Sequence, residues 1–182
     1  MLNINNDMEF IEEQKECSYY DDKISDTRYR IQHDCDANTA YGLLERGWRR
    51  FGKMSFVPEC KGCKDCISIR IDVKKYEFSK SEKRVLSKNK DIEVYVQEPS
   101  LSMEHIDLYN KYHKHMQGKK DWNYNDISPD DYYSSYVDGA QNYGKEILYL
   151  IDGKLVAVAL CDFFSKGISS VYCYYDHDYD HL

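Results

Sequence analysis

The segment KEILYLIDGKLVAVALCDFFSKGISSVYCYYD, residues 145–176, contains three apolar runs separated by two short turns. Asp152-Gly153 divides the first run from the second, and Asp-Gly is a strong signal for a two-residue hairpin turn. Lys166-Gly167 divides the second run from the third. The segment therefore predicts an antiparallel meander in which each strand pairs with the next along the chain.

One strand and two helices are predicted ahead of this meander. DIEVYVQ (91–97) alternates apolar and polar residues, as a strand does. SMEHIDLYNKYHKHM (102–116) has helical spacing, and ISPDDYYSSYV (127–137) has Ser128 as N-cap and Pro129 at the first helical position. The order β-α-α-β-β-β predicts one α+β domain in the second half of the chain, residues 91–182.

The first part of the chain predicts a short helix and a hairpin. DANTAYGLLERG (36–47) is typical of a helix that begins near Asn38 or Thr39 and ends at its last glycine. WRRFGKMSFV (48–57) predicts two strands that turn at Gly52-Lys53.

Two further elements complete the predicted first half. ISIRIDV (67–73) alternates cleanly and predicts a strand. SKSEKRVLSKNKD (79–91) predicts a helix with a capping box, because Ser79 is followed three residues later by Glu82. Residues 1–90 are therefore predicted to form a small N-terminal α/β domain.

Charge is distributed unevenly along the chain. Between Arg46 and Lys90 there are fourteen basic and five acidic residues, a net charge of +9, whereas the rest of the chain carries −16 for an overall −7. Lys80, Arg84 and Lys88 recur at helical spacing, with Lys83 beside them. Such asymmetry favours a polyanion-binding surface inside an acidic protein; the alternative is a basic surface that only water covers.

Cys60, Cys63 and Cys66 are spaced three residues apart, which lets one turn of backbone present several thiolates to zinc or to an iron–sulfur cluster. A tetrahedral site needs a fourth ligand, for which Cys17 and Cys35 are the candidates. The alternative is a set of reduced, half-buried cysteines without metal. The odd total of seven cysteines favours thiols or metal ligands over disulfides.

Other features bound the class of protein. The first residues are polar and acidic, and the longest apolar run, LVAVALC, is far too short to span a bilayer, so a cytoplasmic protein is expected. Nucleotide-binding glycine loops and the GxSxG and HExxH motifs are absent from the sequence. His113 and His115 are two apart on a predicted helix, so they lie on different faces and cannot share a metal.

Three stretches carry a resemblance to a known family: ECSYY (16–20), the segment 43–94, of which Gly47 to Asn89 is highly specific, and GKLVAVALCDFFSKGISSVYCYYD (153–176). They resemble the aminoacyl-tRNA–protein transferases, in particular the bacterial leucyl-tRNA–protein (aspartate/glutamate leucyl) transferases, which are related to the arginyl-tRNA–protein transferases. The most specific part is an Arg-Arg pair between aromatic residues, followed by the cysteines, Arg70 and Ser-Lys-Ser-x-Lys-Arg.

The resemblance implies a function. It implies transfer of leucine from leucyl-tRNA to the N-terminal Asp or Glu of proteins, which marks them for degradation by the N-end rule pathway. The alternatives are an arginyl-tRNA–protein transferase or a metal- and RNA-binding fragment without catalysis. The partners implied are aminoacyl-tRNA and proteins with acidic N-termini, without a membrane, and the protein is expected to be a monomer.

The resemblance also implies a fold and ligands. The second domain is expected to be the first half of a GNAT-like acyltransferase. No cofactor is required for the chemistry, because the aminoacyl ester is already activated. The family's early Cys-x-x-Tyr or Cys-x-x-Cys element is matched by Cys17 to Tyr20, which makes Cys17 the expected fourth ligand of a zinc or iron–sulfur site with Cys60, Cys63 and Cys66.

Substrate-binding and catalytic residues are expected as follows. Arg49, Arg50 and Arg70 are candidates for contact with the acidic acceptor side chain or with tRNA phosphate, and Lys80, Lys83, Arg84 and Lys88 for contact with tRNA. The catalytic residues are not identified by a motif. Asp162, Tyr172 and Tyr174 are candidates by their position on the meander, and core packing is the alternative for each.

Family members continue past YDHDYDHL, residues 175–182, with a further helix and strands. The resemblance therefore implies that the second domain is incomplete in this sequence. The 182 residues by themselves are expected to transfer little or no leucine, whereas a version extended through those elements transfers it.

Overall fold

The computed structural model describes residues 7–139 and 141–180, which form two compact units. The first unit comprises the residues up to Ile69 together with Ser134–Tyr143. The second comprises Arg70–Tyr133 and the residues from Gly144 onward. The sequence predicts a domain boundary between residues 90 and 91, and this boundary stays a prediction.

The first unit is built on a four-stranded antiparallel sheet. Its strands are β1 (Met8–Glu16), β2 (Ile24–Ile31), β3 (Arg49–Phe51) and β4 (Met54–Pro58), in the spatial order β1-β2-β4-β3. Helix α1 (Ala37–Glu45) connects β2 to β3. The predicted hairpin is therefore confirmed as β3 and β4.

Helix α1 begins earlier than predicted. Asp36 is the N-cap, because its backbone is extended and its carboxylate accepts hydrogen bonds from the backbone amides of Asn38 (2.8 Å) and Thr39 (3.1 Å). Asn38 and Thr39, predicted to lie near the N-cap, are the second and third residues after it. Gly47 follows the helix with a φ of 89°, which glycine adopts without steric cost.

The predicted strand at ISIRIDV is wrong. Residues 67–73 form no strand, and Ile67, Ile69 and Val73 are 78%, 87% and 80% exposed. An alternating segment becomes a strand when it gains both a neighbouring backbone edge and a surface that covers its apolar side chains. Within the described ranges, residues 67–73 have neither.

The second unit contains the predicted meander. Strands β5 (Glu93–Gln97), β6 (Gly144–Ile151), β7 (Lys154–Phe164) and β8 (Gly167–Tyr175) form an antiparallel sheet in this same spatial order. Asp152-Gly153 joins β6 to β7 with positive φ at both residues (50° and 76°), the geometry that a tight hairpin turn needs.

The second unit also contains the helices α2 (Lys80–Lys88), α3 (Met103–Lys120) and α4 (Pro129–Tyr132). After α4 the chain continues as a π-helical turn (Tyr133–Val137), whose residues from Ser134 onward belong to the first unit. The predicted capping box of α2 is present. Two antiparallel sheets with helices confirm the mixed α and β class. None of the helices in residues 7–139 and 141–180 is both long and apolar enough to cross a membrane.

The core of the second unit lies between α3, α4 and one face of the sheet. Apolar and aromatic side chains that are less than a tenth exposed form it: Ile106, Leu108, Tyr112, Met116, Tyr132, Val158, Leu160 and Tyr174. Their burial fixes α3 across β7 and β8, and so places the α3 side chains against the side chains of β8.

Candidate active site and nucleic-acid interface

The imidazole of His113, on α3, is surrounded by aromatic rings. Five rings have their centroids within 6.4 Å of the imidazole centroid: Tyr109 (4.1 Å), Tyr112 (5.3 Å), Trp122 (6.0 Å), Tyr172 (6.0 Å) and Tyr124 (6.4 Å). Tyr109 and His113 stack because they are four residues apart on one helix face. Burial among these rings lowers the pKa of His113 below its usual value, so the imidazole is neutral near pH 7.

Tyr172, on β8, completes this arrangement. Its hydroxyl lies 2.9 Å from Nε2 of His113. Burial raises the pKa of Tyr172 above its usual value, so the phenol keeps its proton. A protonated phenol that donates to a neutral imidazole is a ready proton path, because the imidazole can take the phenol proton while the phenol oxygen accepts another.

The other two catalytic candidates from the sequence lie deeper in the same unit. Tyr174 is fully buried, and its hydroxyl is 2.6 Å from that of Tyr132. Asp162 is buried on β7. The hydroxyl of Tyr172 therefore contacts an imidazole, whereas the hydroxyl of Tyr174 contacts another phenol and joins α4 to the sheet.

A buried carboxylate that the sequence analysis did not single out lies on β6. Glu146 is 0% exposed, and its Oε1 accepts hydrogen bonds from Gln97 Nε2 (2.6 Å) and Ser100 Oγ (2.7 Å). Its Oε2 lies 3.3 Å from Nε2 of His105, a contact that lacks hydrogen-bond alignment and is an ion pair only when the imidazole is protonated. Burial raises the pKa of Glu146, but the contacts with His105, Ser100 and Gln97 outweigh it, so the net pKa is below its usual value.

A second buried carboxylate ties α3 to the end of the sheet. Asp176 is 2% exposed, and its two oxygens contact Lys111 Nζ (2.5 Å) and Lys154 Nζ (3.0 Å). Burial alone would raise the pKa of Asp176, but the contacts with the two lysines lower it by a larger amount, so the net pKa is about 2. Its oxygen, a His177 nitrogen and an Asp178 oxygen lie within 4.8 Å of one another, yet the lysine contacts give this cluster a structural explanation.

Four cysteines of the first unit, Cys17, Cys60, Cys63 and Cys66, are neighbours. Burial is the largest cause of the raised pKa of the Cys66 thiol. The nearby thiols of Cys60, Cys17 and Cys63 raise it electrostatically as well. The amide of Cys17 donates to the carbonyl of Lys23 (3.0 Å). No three of these four sulfurs lie within 4.8 Å of one another.

The predicted basic residues differ in their surroundings. Lys80, Lys83, Arg84 and Lys88 are all exposed on α2, and Arg70 is exposed as well. Arg49 Nη1 donates to the carbonyl of Trp48 (3.1 Å), and Arg50 lies over the ring of Tyr143 (5.5 Å to the centroid). Helix α2 therefore presents four cations to solvent on one short element.

Comparisons with known proteins match both parts of the chain. The family described as "Arginine-tRNA-protein transferase, N terminus" matches residues 15–84, and "Arginine-tRNA-protein transferase, C terminus" matches residues 104–182. The "Aspartate/glutamate leucyltransferase" of Helicobacter hepaticus is 47% identical over 174 residues, which are 96% of this chain and 72% of that protein. The chain belongs to the arginine-tRNA-protein transferase family. The resemblance found in the sequence is thereby confirmed.

Further members of the arginine-tRNA-protein transferase family show the same coverage. An "Aspartate/glutamate leucyltransferase" of Campylobacter jejuni is 45% identical over 167 residues, 92% of this chain and 70% of that protein. One of Pseudomonas fluorescens is 30% identical over 167 residues, 89% of this chain and 68% of that protein. The N-terminal family match spans the four cysteines and most of α2, and the C-terminal match spans His113 and Tyr172.

Proposed function

We propose that the protein transfers leucine from leucyl-tRNA to the N-terminal Asp or Glu of other proteins, and so marks them for N-end rule degradation. The observation that carries the proposal is the 47% identity to an aspartate/glutamate leucyltransferase over 96% of this chain. The proposed setting is the cytoplasm, with the protein acting as a monomer on aminoacyl-tRNA and on acidic N-termini.

The reaction needs a proton acceptor more than a nucleophile. The acceptor α-amine, with a pKa of about 7.7 to 8.0, is partly neutral at pH 7 and attacks the carbonyl carbon of the leucyl ester. An N–C bond forms, the C–O bond to the tRNA ribose breaks, the amine loses a proton and the ribose oxygen gains one. Alignment of the two substrates supplies much of the rate.

We assign the proton path to Tyr172 and His113. The phenol oxygen of Tyr172 takes the amine proton while its own proton moves across the 2.9 Å contact to Nε2 of His113. The proton then returns along the same path to the departing ribose oxygen. The aromatic rings around His113 disfavour its charged form, which keeps Nε2 available as an acceptor at neutral pH.

The topology of the second unit supports a GNAT-like acyltransferase. Its order, β5-α3-α4-β6-β7-β8, is that of the first half of such a fold, and β8 carries Tyr172. We propose that this strand borders the acyl-transfer cleft. We also propose that the acidic side chain of the acceptor contacts one or more of Arg49, Arg50 and Arg70.

The acceptor assay tests this function. Peptides that begin with Asp, Glu or Lys are incubated with radiolabelled leucyl-tRNA and a version of the protein extended through the further helix and strands that the resemblance implies, with the 182-residue chain as a parallel arm. Label is expected on the Asp and Glu peptides. Equal labelling of the Lys peptide would contradict the proposed acceptor, and absence of label from every peptide would contradict the function.

Arginine is the second candidate for the transferred amino acid. The observation that favours it is the family description itself, which names an arginine-tRNA-protein transferase for both matched regions. The proton path through Tyr172 and His113 serves either donor, because it acts on the amine and on the ribose oxygen rather than on the amino-acid side chain.

We propose that α2 contacts tRNA phosphates. The double variant Lys83→Glu/Arg84→Glu should weaken leucyl-tRNA binding, and the slope of log Kd against log salt concentration should fall by about 1 to 2, because cation–phosphate contacts release counterions. The charge-conserving variant Lys83→Arg/Arg84→Lys is the matched control and should bind as the parent does. Unchanged affinity and slope in the charge-reversed variant would show that α2 is only a solvated surface.

We also propose that Cys17, Cys60, Cys63 and Cys66 hold zinc or an iron–sulfur cluster. Four neighbouring thiols are a donor set that both groups accept. Protein purified anaerobically under reducing conditions should contain zinc or iron, and Cys63→Ser should lose most of it. Cys173→Ser, at an exposed cysteine of the other unit, is the control and should retain it. Metal-free protein in which all four thiols react with a thiol reagent would contradict the proposal.

A further inference from the structure

The last residues of α3 and the segment that follows them combine basic and aromatic side chains beside His113. Their sequence is Lys119-Lys120-Asp121-Trp122-Asn123-Tyr124, and α3 ends with Asp121 in the left-handed region (φ 56°). Trp122 is 38% exposed although its indole is a large apolar surface. The backbone reversal at Asp121 therefore leaves an aromatic ring at the surface, directly after two lysines.

The surroundings of Trp122 place it next to the proposed proton path. Its ring centroid is 6.0 Å from that of His113 and 6.5 Å from that of Tyr112. Nζ of Lys120 lies 5.3 Å from the indole centroid, and both lysines are exposed. One side of the indole thus contacts the aromatic rings around His113, and the flexible side chain of Lys120 lies over the indole ring.

Aromatic rings interleaved with lysines are the usual means of holding unpaired nucleic acid. Unstacked bases stack on the rings, and the cations contact the phosphates. The proposed donor substrate has such a strand, because the aminoacyl ester of every aminoacyl-tRNA is attached to the terminal ribose of an unpaired 3′ end. The Trp122 ring centroid lies 6.0 Å from that of His113, so a base stacked on Trp122 would lie beside the proposed proton path.

We propose that Trp122 stacks the terminal base of the unpaired 3′ end of aminoacyl-tRNA and that Lys119 and Lys120 contact its last phosphates. This inference rests on the proposed function and adds a binding site to it. It assigns the base and phosphates to the segment after α3, and it explains why an exposed tryptophan lies one ring away from the imidazole. The contact positions the ester for the amine and takes no part in bond making.

Tryptophan fluorescence tests the site directly. Trp48 is the second of the two tryptophans, so the variant Trp48→Phe makes the emission report Trp122 alone. The probe is the single-stranded RNA tetramer ACCA, compared with a blunt RNA duplex. We expect saturable quenching by the tetramer and at least about fivefold weaker binding of the duplex, since stacking contributes about 1 to 3 kcal/mol per base.

Variants of the lysines provide the matched control. In the Trp48→Phe background, Lys119→Gln/Lys120→Gln should weaken the quenching affinity about fivefold or more, whereas Lys74→Gln/Lys75→Gln, an adjacent exposed pair elsewhere, should leave it unchanged. No quenching, equal quenching by the duplex, or equal effects of the two lysine pairs would overturn the inference.

Transfer activity separates this inference from the proposed function. If leucine is transferred but Trp122 does not respond to the tetramer, the stacking site is wrong and the function stands. If Trp122 responds and neither leucine nor arginine is transferred, the site stands and the function is wrong. With active protein, Trp122→Phe should keep the KM for leucyl-tRNA within about twofold, and Trp122→Ala should raise it about tenfold with a smaller change in kcat.

Discussion

Replacement of His113 by glutamine is expected to slow leucine transfer by about 100- to 1,000-fold, because a positioned proton acceptor contributes on this scale. Glutamine keeps a similar size and a polar end toward Tyr172 but cannot bind the transferred proton. The measurement is the initial rate of leucine transfer at saturating leucyl-tRNA. His115→Gln is the matched control, since His115 is on the same helix and stacks on His177 instead.

The pH dependence separates proton transfer from packing. Burial lowers the pKa of His113 below 6.5, and the acceptor amine has a pKa of about 7.7 to 8.0. Both groups must be neutral, so the logarithm of the transfer rate should rise with a slope near 2 at the lowest pH and near 1 between the two pKa values. His113→Gln should show a slope of 1 throughout. A parallel profile in the variant would refute the role of His113.

The same pKa shift predicts a stability effect with a defined sign. A histidine that is held neutral in the fold binds a proton more readily when unfolded, so its contribution is present above pH 6.5 and is lost as pH falls toward the lowered folded pKa. Denaturant unfolding between pH 7 and pH 5 should therefore show a smaller loss of stability in His113→Gln than in the parent chain.

Replacement of Glu146 by alanine is expected to lower the free energy of unfolding by about 2 to 6 kcal/mol, because each of two buried donors left without an acceptor costs about 1 to 3 kcal/mol. The change leaves Gln97 Nε2 and Ser100 Oγ without the acceptor they share, in a site that is 0% exposed. It also removes the carboxylate beside His105.

Urea unfolding followed by circular dichroism measures this loss. Lys145→Ala, the preceding residue on β6, removes a partly exposed ion pair with Glu98 and should cost less than about 1 kcal/mol. Glu146→Gln, which keeps an acceptor oxygen for Gln97 and Ser100, should fall between the two. A Glu146→Ala loss no larger than that of Lys145→Ala would show that the buried contacts of Glu146 contribute nothing net.

The parts of the fold that the sequence predicts are the parts that local signals specify. Asp152-Gly153 defines the β6–β7 turn because only a few residue types accept positive φ, and Ser79 with Glu82 defines the start of α2. The N-cap of α1 was placed too late because Asp36, Asn38 and Thr39 all accept that position, and only the folded backbone shows which one is extended. The alternation in residues 67–73 predicts a strand because it has the two-residue period of a strand, but it does not show whether a neighbouring strand is there to pair with it.

The candidate site also has features that the sequence predicts and features that it does not. Tyr172 was among the predicted residues because strand register places it on the meander, but its hydrogen bond to His113 joins residues 59 positions apart and has no sequence signal. Glu146 does have a sequence signal. It alternates in step with Leu148 and Leu150, so an acidic residue lies at a strand position where apolar residues are expected. Its partners Gln97 and Ser100 lie nearly fifty residues away, which only the sheet pairing reveals.

The donor competition tests the central claim most directly. The extended version of the protein is incubated with equal amounts of leucyl-tRNA and arginyl-tRNA and one peptide that begins with Asp, and mass spectrometry identifies the added residue. The proposed function predicts leucine on the peptide N-terminus and little or no arginine. Arginine as the main product would contradict the leucyl assignment, and an unmodified peptide would contradict transfer itself.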